Sequence, residues 1–522
     1  MNRSLRSLAV AALAASTLLA PSLAPSAYAD PNNNSSEKLR SAVTLQGVRR
    51  HQAAFQSIAT AAGGNRFAGT PGYDNSAEYV AEQLRAAGYT PTFQEFEYDA
   101  FFERTPSQMQ QISPNATTYT NGVEFRVLSY SGSGDVTAPL AVPGGDSRGC
   151  YAADWSGYSA GTIALVERGT PAGFPGGSCT FRIKLDNARA AGATAILVYN
   201  NVPGVVNGTL GATGLSQIPG LGITQALGQS LRAQLASQPT VMRVRTDTGS
   251  ERLATRNVFA ETAGGDPNNV VMTGAHLDSV TAGPGINDNG SGSAAILETA
   301  IQMAKVSPRN KVRFAWWSAE ESGLIGSTYY IAQLPQAERD KIALYLNFDM
   351  VGSPNFARFV YDGDNSTGTG AVGPAGSDVI ERVFYGYFES QGLHAEPSPF
   401  NGRSDYGPFI AAGIGIPAGG LFTGAEGIKT AAQAAKYGGT AGIAFDPCYH
   451  AACDTYDNNS DVALDTNSDA IAHSVITFAQ STELINGVRG KGNFKRPAQG
   501  DNDGTGTGGG GGLHDEHEHD EA

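Results

Sequence analysis

Three apolar runs in this chain each stop at a histidine or a carboxylate: NVVMTGAH at His276, VRFAWWSAE at Glu320 and LYLNFD at Asp349. Runs this short and this apolar read as strands buried on both faces. A strand that stops at a polar residue leaves that side chain on the rim of a sheet, where α/β folds bind ligands. Among these runs lie stretches with apolar residues at helical spacing: GSAAILETAIQMAK, LIGSTYYIAQL, SDVIERVFYGYFESQG and SDAIAHSVITFAQSTELI. Alternating strands and helices predict an α/β fold, a mostly parallel or mixed central sheet with helices on both faces.

Seven residues between positions 276 and 450 read together as one metal-dependent hydrolytic site: His276, Asp278, Asp288, Glu320, Glu321, Asp349 and His450. Two imidazoles with several carboxylates make an N/O donor set that suits Zn²⁺. Asp288 sits just before a Gly-rich helix start, DNGSGSAA, whose free N–H groups can steady its carboxylate. Its two oxygens can bridge two cations, which in two-metal sites lie about 3.5–4 Å apart. Asp278 falls on the same side of an extended chain as His276 and is placed to accept the ring's other N–H. Glu320 and Glu321 point apart, so one serves as ligand and the other as general base. Each signal is weak alone. An H-x-D is commonly a surface pair, a lone Glu-Glu a solvated helix start, and a single loop His a plain loop His. Their shared order at strand ends gives them weight.

The 522 residues, 41% of them apolar, suffice for two or three cores. Residues 1–29 read as a secretory signal: Arg3 and Arg6, then SLAVAALAASTLLA, then Ala27-Tyr28-Ala29. Residues 30–118 read as the N-terminal part of the main domain. That part is polar and loosely ordered to about residue 50, with a helix in NSAEYVAEQLRAAGY and a strand in TFQEFEYDAF. Residues 119–245 form a separate unit, where GTIALVERG, FRIKLDNARAAGA and TAILVYNN read as strand, helix and strand. Residues 246–489 carry the seven site residues. Residues 490–522 form a Gly-rich acidic and His tail, too polar to bury a core and expected to be disordered.

Four cysteines, Cys150, Cys179, Cys448 and Cys453, predict two disulfides in an exported chain. Three pairings are formally possible. Cys448 and Cys453 are near neighbours, and a bond between them would hold the His450 loop rigid. The net charge is −14 with no basic stripe, which argues against nucleic-acid binding. After the leader, no run approaches about 18 apolar residues, which argues against a membrane span. GYSAG at 157–161 fits G-x-S-x-G but lacks a strand before it and a helix after it, so it is no nucleophile elbow. His51, His394 and His473 have no carboxylate context and read as surface or structural residues.

GTPGYDNSAEYVAEQLRAAGY, TGAHLDSV, GINDNGSGSAA, WWSAEESGLIGS, NFDMVGSP, GRSDYGPF, GIPAGGLFTGAE and DPCYHAACDT resemble the secreted di-zinc aminopeptidases of the M28 peptidase family. The unit at 119–245 resembles the protease-associated (PA) domain that many members carry as an insertion. The resemblance implies a zinc-exopeptidase-like fold and two Zn²⁺ per chain. It puts His276 and Asp349 on one ion and Glu321 and His450 on the other, with Asp288 bridging. It also implies Glu320 as general base, Asp278 behind His276, Tyr449 as stabiliser of the tetrahedral oxyanion, and Arg403 near the substrate. Phe422 would line an apolar specificity pocket. The expected protein is a secreted, extracellular, monomeric metallo-aminopeptidase. It would act on peptide or protein N-termini, favouring large apolar N-terminal residues. Its rivals are a carboxypeptidase or glutaminyl-cyclase-like enzyme on the same fold, and a non-catalytic binding protein on a peptidase scaffold. The intact set of ligands and base disfavours the second.

Overall fold

The computed structural model describes residues 32–175, 179–211 and 214–487. The expected signal segment and the expected tail lie outside the described residues. Within them, no helix is long and apolar enough to cross a membrane.

The stretch up to residue 50 is ordered, contrary to the sequence expectation. Helices Ser36–Ala42 and Leu45–Ala61 occupy it, capped by the hydroxyls of Ser35 and Thr44. Leu39, Val43, Val48 and Phe55 of this segment pack into the main core. A segment can be polar in composition and still fold when its apolar residues share one face.

Strand β1, Thr92–Ser113, runs 22 residues and far outlasts the strand expected at TFQEFEYDAF. It leaves the main sheet and enters the inserted unit, which holds β2 (Thr117–Thr118), β3 (Phe125–Val127), β4 (Gly134–Ala141), β5 (Ile163–Glu167), β6 (Ala195–Tyr199) and β7 (Gly220–Ile223). Strand β8, Val241–Glu261, returns antiparallel along β1 for nearly its whole length. In the insert, β5 and β6 flank helix Phe181–Ala190 as the sequence suggested, and Gly192 (φ 90°) follows the helix end. Alternate residues of β6 face two separate cores: Leu197 and Tyr199 one, Ile196 and Val198 the other.

The catalytic half adds β9 (Asp266–His276), β10 (Asn310–Trp317), β11 (Ile342–Phe348), β12 (Phe359–Tyr361), β13 (Glu396–Ser398) and β14 (Ala418–Phe422). The sheet order is β13-β12-β14-β11-β9-β10-β8, and β14, β11, β9 and β10 are mutually parallel. Both faces are covered. Val312, Phe314 and Trp316 of β10 pack into the larger core, whereas Ala315 and Trp317 pack into the smaller. Helix Gly290–Met303 is buried on nearly all sides, which suits its Gly-, Ser- and Ala-rich N-terminal turns. Gly274 of β9 has no room for a side chain, because a Cβ there would lie 2.7 Å from both Trp317 Nε1 and Tyr345 Oη.

Behind the helix, His51 is buried. Its ring bonds Tyr79 at 2.8 Å and Glu298 at 3.2 Å, so it is a satisfied structural residue. His473 likewise bonds Ser36, and His394 is exposed. Burial holds the His51 pKa below 6.5, outweighing the hydrogen bond its ring donates to Glu298. The unfolded chain therefore binds a proton that the folded chain refuses. That part of the stability is whole above about pH 6.5 and is lost as pH falls below it. In urea melts, the native protein should lose more stability between pH 7 and pH 5.5 than a His51→Gln variant does. Equal slopes would show that His51 stays uncoupled from folding.

Candidate metal centre and active site

Three neighbouring parallel strands, in the order β11, β9, β10, deliver their C-terminal ends to one place. Trp317, the last residue of β10, is in register with His276, the last of β9. Glu320 and Glu321 follow β10 by three and four residues, and Asp349 follows β11 directly. Ala319, Met350 and His450 adopt left-handed backbone, with φ of 56°, 47° and 55°. Non-glycine residues in that region cost of order 1 kcal/mol or more and cluster at functional sites. Here each is a site residue or adjoins one.

Asp288 lies between the two imidazoles. Its Oδ1 is 3.2 Å from His276 Nε2 and its Oδ2 is 3.2 Å from His450 Nε2. Asp349 Oδ1 stands 3.3 Å from His276 Nε2, and Glu321 Oε2 stands 2.9 Å from His450 Nε2. Glu320 Oε2 is 3.9 Å from His276 Nε2. Asp288 does not use the helix N-terminus as the sequence suggested. The N-cap is Asn289, whose side chain accepts from Gly292 N–H, and the Asp288–Asn289 peptide is cis.

Asp278 also differs from expectation. His276 Nδ1 is bonded to the Asp278 main-chain carbonyl at 3.2 Å, and the carboxylate is 3.6 Å away. That carboxylate accepts from the backbone N–H groups of Glu320 and Glu321, each at 3.2 Å. It thus fixes the turn that presents both glutamates. Tyr449 stacks on His450 with ring centroids 3.8 Å apart, and its hydroxyl accepts from Arg403 at 3.3 Å. Arg403 is held by Glu426 at 2.7 Å. Cys448 is bonded to Cys453, closing the loop that carries Tyr449 and His450, and Cys150 is bonded to Cys179. Phe422 lines a cleft together with Phe359, Tyr361 and Phe445, and His276, Asp288, Glu320, Asp349 and His450 line it too.

Several supporting residues escaped the sequence reading. Asp454 accepts from the N–H groups of Asn287 and Asp288 at 2.8 and 3.0 Å. Asp446 accepts from Asn287 Nδ2 at 2.7 Å and from Cys448 N–H at 2.8 Å. Both acids flank the disulfide loop in DPCYHAACDT, and that symmetry was the available signal. Ser404 donates to Asp349 Oδ2 at 2.5 Å and accepts from Asn347 at 2.8 Å. Asn347 accepts from Tyr345, which accepts from Trp317. Fully buried Arg66 donates to the carbonyls of Leu277, Pro284 and Gly285. Burial lowers its pKa to about 10, against the pull of Asp278 and its fellow acids, so it stays charged at neutral pH.

The donor set fits divalent metal. Two groups of donor atoms, His276 with Asp288 and Glu321, and His276 with Glu320 and Asp349, each lie within 4.8 Å of one another. The donor separations of 2.9–3.3 Å approach the roughly 3.3 Å between tetrahedral vertices for bonds of about 2.0–2.1 Å. Glu321 Oε1 and Asp349 Oδ1 are buried and accept no hydrogen bond. Burial pushes Glu320 well above the carboxylate range, Glu321 to about 7 and Asp405 to about 8. Burial also opposes charge on His450, but Glu321 and Asp288 outweigh it and raise the imidazole to about 10. So many acids packed together need positive charge among them.

A rim of parallel strand ends bearing a two-imidazole, multi-carboxylate cage at the mouth of an apolar cleft defines a metal-dependent hydrolase of the α/β class. Residues 257–475 match the pattern of peptidase family M28, and residues 136–231 match that of the PA domain. An aminopeptidase of Pseudomonas aeruginosa is 45% identical over 447 residues, which cover 83% of this chain and 80% of the relative. Leucine aminopeptidase 2 of Arthroderma otae is 42% identical over 420 residues, 80% of each chain. Among solved structures, an aminopeptidase from Aneurinibacillus sp. strain AM-1 aligns with TM-score 0.67 and 26% identity, covering 87% of this chain and 99% of the other. The chain belongs to peptidase family M28, a metallopeptidase family, and it carries an inserted PA domain.

Replacing Asp278 with Asn leaves one acceptor where two N–H groups need one each. The affinity for divalent metal should fall about 10–100-fold, and the unpaired N–H should lower the melting temperature of the metal-free protein by roughly a few degrees. Chelator-competition titration measures the first and calorimetry the second. Unchanged affinity would remove Asp278 from the metal centre.

Proposed function

We propose that this metallo-aminopeptidase binds two zinc ions, is exported, and removes large apolar residues from peptide and protein N-termini. The observation that carries the reading is Asp288, with one carboxylate oxygen toward each imidazole. His276 and Asp349 would hold one ion, and Glu321 and His450 the other, with Asp288 shared between them. When bound, such a pair supplies a water of lowered pKa and a Lewis acid for the scissile carbonyl.

The chain's own residues supply the rest. Glu320, on the cleft wall, takes the proton of the attacking water and passes it to the leaving amine. The Tyr449 hydroxyl accepts from Arg403, which leaves its own hydrogen free to donate to the developing oxyanion. Glu320 and Asp349 line the cleft and attract a free α-ammonium, which directs cleavage to the N-terminal bond. The aromatic walls formed by Phe422, Phe359 and Phe445 accept the apolar side chain. The leader read in residues 1–29 and the two disulfides support export.

A carboxypeptidase needs a cation free to meet the substrate's carboxylate. Among the described residues, Arg403 is the one Arg or Lys lining the cleft, and Glu426 already pairs with it. The two readings separate on leucine p-nitroanilide and its N-acetyl derivative. The free amine should be hydrolysed and the acetylated compound spared; the reverse would overturn the aminopeptidase reading.

Glu320→Gln should lower kcat about 10²–10⁴-fold, with zinc content held at two per chain by elemental analysis. Tyr449→Phe should lower kcat by about tenfold or more with little change in KM. Full activity in the Glu320 variant would remove that residue as base. One zinc per chain in the active native enzyme would refute the paired-ion site.

A further inference from the structure

We propose that the inserted unit walls the pocket for the residue following the scissile bond, and that this pocket takes a neutral aromatic or long aliphatic side chain. The inference rests on the aminopeptidase reading and adds a substrate determinant to it.

A second cavity opens at the metal centre. It shares only His450 with the aromatic cleft. The donor cage is therefore divided between two spaces. His276, Asp288, Glu320 and Asp349 face the cleft, Glu321 faces the second cavity, and His450 faces both. A peptide bond held at the cage has one space on either side. The acids that attract the α-ammonium, Glu320 and Asp349, line the cleft, so the N-terminal residue belongs there. The rest of the substrate leaves through the second cavity.

Three rings, Phe67, Phe101 and Tyr130, and Val280 form the apolar lining of that cavity, and Ser129, Asn207, Thr209 and Ser322 add neutral polar groups. Ser129, Tyr130, Asn207 and Thr209 all belong to the insert. Among the described residues, no Lys or Arg lines the cavity, and the titratable groups there besides Tyr130 are Glu321 and His450, both assigned to metal. An acidic side chain would meet no countercharge there, whereas an apolar one would meet three rings. The wall is held in place. The Tyr130 hydroxyl donates to the Asp99 carbonyl at 2.8 Å, and its ring lies 5.6 Å from Phe101. The Ser129 N–H donates to the Gly208 carbonyl at 3.0 Å and the Leu210 N–H to the Ser129 carbonyl at 2.9 Å, tying the two wall segments together.

The test uses the full-length zinc enzyme and three substrates: leucinamide, Leu-Phe-amide and Leu-Asp-amide. Leucinamide releases ammonia and fills no such pocket. The native enzyme should favour Leu-Phe-amide over Leu-Asp-amide by about tenfold or more in kcat/KM. Asn207→Arg puts a cation among the cavity's polar groups and should shrink that ratio about tenfold; Asn207→Glu should widen it. Because the readout is a ratio, a general loss of rate cancels. A native ratio near one overturns the proposal, as does a ratio that neither substitution moves. If a variant fails to fold, the native ratio alone decides. If native enzyme leaves leucinamide intact, the aminopeptidase reading itself fails, a distinct result.

Discussion

Buried carboxylates that share a few ångströms cannot all carry charge unless cations stand among them, and this protein gathers Asp278, Asp288, Glu320, Glu321, Asp349 and Asp405 around two imidazoles. The rest of the architecture manages that repulsion. Arg66 stays charged behind the cage while its guanidinium ties together the carbonyls of the 277–285 loop. Ser404, Ser327 and the N–H groups of the Glu320 turn give the acids hydrogen bonds, which lower the cost of burial without neutralising it. Among the described residues, buried carboxylate oxygens with no donor remain on Glu321 and Asp349, both in the cage, and on Asp405 and Glu426. The shortage of donors within the cage points where a divalent ion would sit.

Each cage residue is also held from behind by a different element. The Asp349 carboxylate hangs on a relay from Trp317 of β10 through Tyr345 and Asn347 of β11 to Ser404. Asp288 is set by Asp454 across the disulfide loop, and the glutamate turn by Asp278 after β9. Strands, loop and helix start therefore converge on one geometry, and an error in any one would displace a donor. Such redundancy suits a site whose function needs donor atoms placed within a few tenths of an ångström.

The cage itself was legible in the sequence because strand periodicity and strand ends announce which side chains reach the rim. His276, Glu320 and Asp349 each terminate an apolar run, and the M28 and PA resemblances agree with the family patterns that match. What stayed hidden has a common cause: it depends on which donor meets which acceptor across long separations. The Asp278 carboxylate turned from its neighbour His276 to amides some forty residues on, and Arg66 reaches a loop more than two hundred residues away. The ordered start of the chain was missed because a few apolar residues on one face outweigh a polar composition.

The length of β1 and β8 was equally invisible, since alternation in their exposed middle fades into polar residues. Yet those strands decide how the insert relates to the site. A domain joined by flexible linkers would be free to move relative to the cage. Here two paired strands of 22 and 21 residues run from the main sheet into the insert, with register shifts between Glu103 and Ser113. The paired ribbon ties the insert to the main sheet through backbone pairing along both strands, in addition to the loops that reach the cavity beside Glu321 and His450. The unit that carries none of the metal donors thereby becomes part of the site's geometry.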